Sequence, residues 1–219
     1  MEVVVKILSL NVGLPREVIF MGESVTTGIF KEPIEGRVKL GRLNLDGDKQ
    51  ADLTVHGGED KAVYAYAWEH YGFWRDQLPG TTLSYGMFGE NFTTEGLMEH
   101  AVNIGDQFQI GSVKIMATQP RMPCYKLGVK FGRMDIIRRF LASGRSGIYF
   151  KVLKEGEVGA GDKIEPISRD KNNVTVKDIV RLYVDDKQDI ETMQRAMRIK
   201  ALPEGWRYHF NQQMEQTKK

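Results

Sequence analysis

"DQFQIGSVKIMAT", residues 106–118, decides the reading of the chain. Apolar residues fall at every second position: Phe108 and Ile110 before Gly111-Ser112, then Val113, Ile115 and Ala117 after it. A period of two is the mark of a strand with one face buried, and Gly-Ser between two such runs marks a hairpin. "VVVKILSL" (3–10) and "GRVKL" (36–40) read as strands in the same way. "GDQFQI" (105–110) and "GDKIEPI" (161–167) echo one another, each placing a Gly-Asp turn before alternating residues. The first three quarters of the chain is therefore a β-rich region of short strands.

Two helical patterns interrupt it. "DKAVYAYAWEHYGFWRDQL" (60–78) puts Val63, Ala67, Tyr71, Trp74 and Leu78 at spacings of three and four, which predicts one helix over the whole segment. Asp60 suits its N-terminal end through the helix dipole. "RMDIIRRFLAS" (133–143) repeats the pattern with Ile136, Ile137, Phe140 and Leu141.

The character changes after residue 167. "SRDKNN" (168–173) reads as a polar linker, and three short helical patterns follow. Thr175 and Asp178 form a capping-box start. Ile190, Met193 and Met197 share a face, and Trp206, Phe210 and Met214 lie four apart. The expected division is residues 1–167 as one domain and 174–219 as a three-helix unit, which is too small to be stable without packing on something.

At 219 residues and 41% hydrophobic content the chain supports a real core, which excludes a disordered protein. Basic residues number 31 and acidic residues 29, which does not suggest a nucleic-acid binder. No run approaches the roughly 20 apolar residues that span a bilayer, and the N-terminus reads as a strand rather than a signal peptide. A cytoplasmic protein with a reduced thiol is the expectation.

That thiol is Cys124, the only cysteine, in "ATQPRMPCYKLGVKFG" (117–132). A buried cysteine packing as a small hydrophobe is one reading. The other is a thiolate favoured by Arg121, Lys126 and Lys130 in a loop stiffened by Pro120 and Pro123. His56 precedes Gly57-Gly58, which is either a ligand-approach loop or a plain glycine turn. Glu59 and Asp60 beside it disfavour an anion and favour an N–H donor. Asn91, in "GMFGENFTTEG" (86–96), reads first as a turn residue. Lys31, Arg37, Lys39, Arg42 and Lys49 are mostly a solvated face, from which one or two residues are suited to a phosphate clamp. The scattered histidines make no zinc spacing, and neither a Walker motif nor G-x-G-x-x-G is present.

Together these segments resemble the MOSC family, named after the C-terminal domain of molybdenum cofactor sulfurases, and its bacterial YiiM-type members. The resemblance runs through "DLTVHGGEDKAVYAY", "FGENFTTEGL", "IGDQFQIGSVKIMATQPRMPCYKL", "GRSGIYFKVLKEGEVGAGDKIEPI" and "WRYHF". The ordered set of His-Gly-Gly-x-Asp-Lys, Gly-Glu-Asn and Arg-x-x-Cys is what makes it specific. It implies a mainly β, barrel-like domain with a few helices and a three-helix C-terminal unit. It also implies binding of the molybdenum cofactor, a molybdopterin whose metal is ligated by Cys124. In that reading His56, Gly57, Gly58 and Asp60 face the pterin or the open side of the metal. His56 or Asp60 supplies a proton, Lys31, Arg121 or Lys126 clamps the phosphate, and Asn91 fixes the cofactor by hydrogen bonds. The implied reaction is reduction of N-hydroxylated bases such as 6-hydroxylaminopurine to the amine, a detoxification. Electrons then come from a separate reductase, since no flavin or iron–sulfur motif is present. A non-catalytic cofactor carrier and a sulfur-carrying cysteine are the alternatives. No membrane or nucleic-acid polymer is expected as a partner, and the tail either packs on the barrel or forms a homodimer.

Overall fold

A computed structural model of the chain describes residues 4–51 and 57–217. Its main sheet has eight strands: β1 (Lys6–Val12), β4 (Glu32–Ile34), β6 (Val63–Ala67), β7 (Phe92–Glu95), β8 (Gln107–Ile110), β9 (Val113–Pro120), β10 (Ile148–Lys154) and β12 (Glu165–Ser168). They lie in the order β12-β8-β9-β10-β6-β7-β1-β4. Two small pairs stand apart: the hairpin β2 (Arg16–Phe20) with β3 (Glu23–Thr27), and β5 (Arg37–Leu40) with β11 (Gly156–Gly159). The ladder is open, with β12 and β4 as its edges, so the expected barrel is approached rather than closed. Residues 161–164 draw the two ends together. Ile7 N–H donates to Asp162 O at 2.9 Å, Gly161 N–H to Ile7 O at 2.8 Å, and Ile164 N–H to Val5 O at 2.9 Å.

The 106–118 hairpin forms as its pattern requires, with Ile110 opposite Val113 and Gly111 at φ 55. The two echoing segments are neighbours in space, since β12 pairs with β8.

The helix expected over 60–78 is only half present. A 3-10 turn (Glu59–Lys61) leads into strand β6, and the helix α1 spans Glu69–Gln77. All five residues of β6 are buried, so no polar alternation marks it as a strand. Val63 and Ala65 join one apolar cluster, while Tyr64 and Tyr66 join a second on the opposite face. That second cluster is aromatic. Tyr66 lies 4.6 Å from Phe88 between ring centroids, and the Trp74 indole N–H donates to the Tyr66 hydroxyl at 2.7 Å. Phe140, from α3 (Asp135–Ser143), stacks on Trp74 with ring centroids 5.9 Å apart.

The tail holds α4 (Val176–Val184), α5 (Ile190–Met197) and α6 (Glu204–Thr217). Thr175 caps α4 by accepting from Asp178 N–H at 3.0 Å, and Asp178 accepts from Thr175 N–H at 2.9 Å. Asp189 caps α5 and also accepts from the Arg181 guanidinium at 2.7 Å. Ile179, Leu182, Met193, Trp206 and Phe210 share one buried cluster with Ile104, Ile115 and Val152 of the sheet region. The packing that so small a unit requires is supplied by the sheet. Among the described residues no helix is long and apolar enough to cross a membrane.

Candidate active site

Cys124 follows strand β9 after the short segment Arg121–Pro123 and immediately precedes helix α2 (Tyr125–Phe131). It is half-buried and opens on a cavity also lined by Lys31, Lys49, Arg121, Lys126 and Tyr149. The chain reaches this point from three directions. Arg121, Cys124 and Lys126 come with the end of β9, Lys31 comes just before β4 and Lys49 from the long loop after β5, and Tyr64 and Tyr149 come from β6 and β10. Gly28 lets two of these walls meet, because a Cβ there would stand 2.4 Å from the Lys49 carbonyl oxygen.

Arg121 is the most buried of the cations that line the cavity. It is 6% exposed, and its guanidinium lies over the Tyr64 ring at 5.6 Å and the Phe140 ring at 5.1 Å. Nη1 is buried and has no hydrogen-bond partner among the described residues. A buried donor left without a partner is costly, so this atom stands ready for an acceptor that enters the cavity. Burial raises the phenols of Tyr64 and Tyr149, with the Arg121 charge opposing, and both remain neutral. Lys126 is also buried, at 8% exposure, and no carboxylate lies within ion-pair distance of it among the described residues.

Lys31 differs. Burial pulls its ammonium down from the ordinary range, and Asp48 opposes that by pairing with it. Asp48 also accepts from Gly13 N–H at 2.9 Å and from the Asn91 side-chain amide at 2.9 Å. Asn91 in turn accepts from Tyr64 N–H at 3.1 Å. The Asn91 amide is thus engaged within the protein and does not line the cavity. It positions Asp48, and through Asp48 it positions Lys31. The cation excess facing Cys124 therefore rests on Arg121, Lys126 and Lys49.

The remaining expected residues lie elsewhere. Gly57, Gly58 and Asp60 line a second cavity, with Met122 as the wall shared by both. His56 lies outside the described residues. Glu90, central to the Gly-Glu-Asn motif, is fully buried, and burial raises its carboxyl. It accepts from Gly86 N–H and Phe88 N–H, each at 3.0 Å, and so staples the loop behind the site. Lys49, Tyr64 and Tyr149 were not among the singled-out site residues. Lys49 sat in a run of basic residues, and the two tyrosines sat in strands whose hydrophobicity masked them.

The donor set can be tested against a molybdenum cofactor. Among the described residues no group of three or more His, Cys, Asp or Glu could hold a metal unaided. One soft sulfur donor beside Arg121 and Lys126, which no carboxylate pairs with among the described residues, instead fits a metal that arrives with its own sulfur ligands and an anionic tail.

Comparison with known proteins points the same way. Residues 52–165 match the MOSC domain and residues 174–217 match the YiiM-like 3-alpha helix domain. The Bacillus subtilis protein YflK is 41% identical over 204 residues, covering 93% of this chain and 92% of its own. A crystal structure of YiiM from Geobacillus stearothermophilus superposes with a TM-score of 0.80 at 32% identity, covering 95% of this chain and 98% of that one. A Gibberella moniliformis protein named a reductase is 34% identical over 152 residues, which is 68% of this chain but 27% of the relative.

Proposed function

The chain belongs to the MOSC domain family, and from that premise we propose that it binds a molybdenum cofactor and reduces N-hydroxylated bases such as 6-hydroxylaminopurine to the amine. The observation that carries this reading is the buried Nη1 of Arg121, without a partner among the described residues, in the wall of the Cys124 cavity. The reductase-named relative is in keeping with the redox class.

When bound, the cofactor supplies two-electron chemistry on the N–O bond. The protein's own residues do the rest. Cys124 offers a thiolate, a soft donor suited to a metal already held by sulfur. Arg121 and Lys126 donate to the cofactor phosphate, with Lys49 adding charge. Asp48 and Asn91 keep Lys31 in place, so the cavity wall is formed before the cofactor enters. Asp60 stands at the second cavity as a hydrogen-bond acceptor, and its backbone carbonyl accepts from the Thr118 hydroxyl at 2.6 Å, which fixes its loop against β9. Overall, R–NH–OH takes up two electrons and two protons and yields R–NH2 and water. The electrons come from a separate reductase.

The test is turnover. Protein purified from a cofactor-producing host, supplied with a competent reductant, is expected to convert 6-hydroxylaminopurine to adenine, followed by chromatography. Cofactor-loaded protein that leaves the substrate untouched sinks the proposal and favours a carrier.

A further inference from the structure

The second cavity, of about 470 Å³, lies between the Gly57–Lys61 loop and the tail. This volume falls within the range of small-molecule pockets, about 300–1,000 Å³. Its tail side is a cluster of rings. Tyr183, at the end of α4, lies 5.6 Å from Trp206 and 5.1 Å from His209 between centroids. Trp206 is fixed in place, because its indole N–H donates to the Gln119 side-chain oxygen at 3.1 Å. Tyr183 is 38% exposed, leaving an apolar ring beside open space. His209 Nε2 is buried and has no hydrogen-bond partner among the described residues.

The opposite side is polar. Glu59 is occupied, since it pairs with Lys151 at 2.7 Å and Arg42 at 3.2 Å. Asp60 stands farther from Lys151, at 4.0 Å, and its side chain is 45% exposed. Lys61 also lines the cavity, so the wall carries both signs of charge. Rings and a buried imidazole nitrogen on the tail side, with a carboxylate on the other, suit a flat, neutral heterocycle bearing N–H donors and ring acceptors. An anion would meet Asp60 and Glu59.

We infer that this cavity seats the purine-type ring of the substrate, stacked on the Tyr183–Trp206–His209 cluster, with Asp60 accepting from its N–H groups and His209 Nε2 completing the hydrogen bonding. The assignment rests on the reductase reading for its substrate class, and it places the ring across Met122 from Cys124. It gives the tail a specific task, which is to supply the aromatic face that selects planar substrates.

Gly205 provides a clean probe. It is the second residue of α6 and lines the cavity, and a Cβ added there meets nothing within 4 Å. Gly205→Leu therefore fills the cavity without disturbing the helix. The experiment is calorimetric titration of adenine into the cofactor-free protein. Wild type and Cys124→Ser are expected to bind equally. Gly205→Leu and Tyr183→Leu are each expected to weaken binding by about tenfold, which is 1.4 kcal/mol. Unchanged adenine affinity in both tail variants overturns the assignment, as does loss of binding in Cys124→Ser or no binding to wild type at millimolar adenine. None of these outcomes depends on cofactor loading, so failure here leaves the molybdenum reading to its own test.

Discussion

The cavity at Cys124 is walled by Arg121, Lys126 and Lys49, and the cavity beneath the tail by Tyr183, Trp206 and His209; the two meet at Met122. Among the described residues no carboxylate pairs with Arg121 or Lys126 in the first. The second has rings, a buried nitrogen with no partner among those residues, and charges of both signs. A phosphate-bearing cofactor that stays bound is best held by fixed charge, while a neutral planar molecule that must leave after each turnover is best met by stacking. In the proposed reaction the difference divides the work between the sheet region, which would hold the cofactor, and the tail, which would choose what reaches it.

The sharpest way to break this division is to disturb the charge balance behind the first cavity. Asp48→Asn leaves Lys31 buried without its counter-ion. It is expected to destabilise the fold by about 3 kcal/mol in urea unfolding, and a change within 0.5 kcal/mol would remove Lys31 from the prearranged wall. Arg121→Met comes next. It keeps bulk against the Tyr64 and Phe140 rings but removes the unpartnered donor. Cofactor retention on dilution is expected to fall by about thirtyfold, roughly 2 kcal/mol, the size of a hydrogen bond to a charged group. Adenine binding in the second cavity is expected to be unaffected.

The smallest effect concerns the stability of the tail. The hydrogen bond from Arg181 to Asp189, helped by the Thr192 N–H, holds the Asp189 carboxyl down at about 2. A carboxyl depressed in the folded state stabilises above its unfolded value, about 3.9, and loses that contribution as the pH falls through about 2. Asp189→Ala is expected to cost about 1 kcal/mol at neutral pH, the value of a helix cap. The cost is expected to shrink steadily towards the acid end of that window. Thermal unfolding of both proteins between pH 6 and pH 2 checks this, and a difference at pH 2 as large as at pH 6 would contradict the ionic origin.

Much of this was legible along the chain because it is local. The 106–118 hairpin and the Thr175–Asp178 box each lie within a dozen or so residues and formed as their spacing implied, and Arg121, Cys124 and Lys126, equally local, line one cavity. Segment 60–67 was misread because apolar side chains occupy both faces of β6. Alternation then shows only as a change of size, with Tyr64 and Tyr66 facing one cluster and Val63 and Ala65 the other. The role of Asn91 was hidden for another reason. Its partner Asp48 is 43 residues away and Asp48's partner Lys31 another 17, all in loops without periodicity. The second cavity could not be read at all, since it exists only where the tail meets the Gly57–Lys61 loop.

The most direct measurement of the central claim is the molybdenum-to-protein ratio of wild type and Cys124→Ser, both purified from a host that makes the cofactor. A near-stoichiometric ratio in the wild type, lost by at least about tenfold in the variant, is the predicted result. Equal metal in both proteins would contradict Cys124 as the anchor, and no metal in either would contradict the cofactor itself.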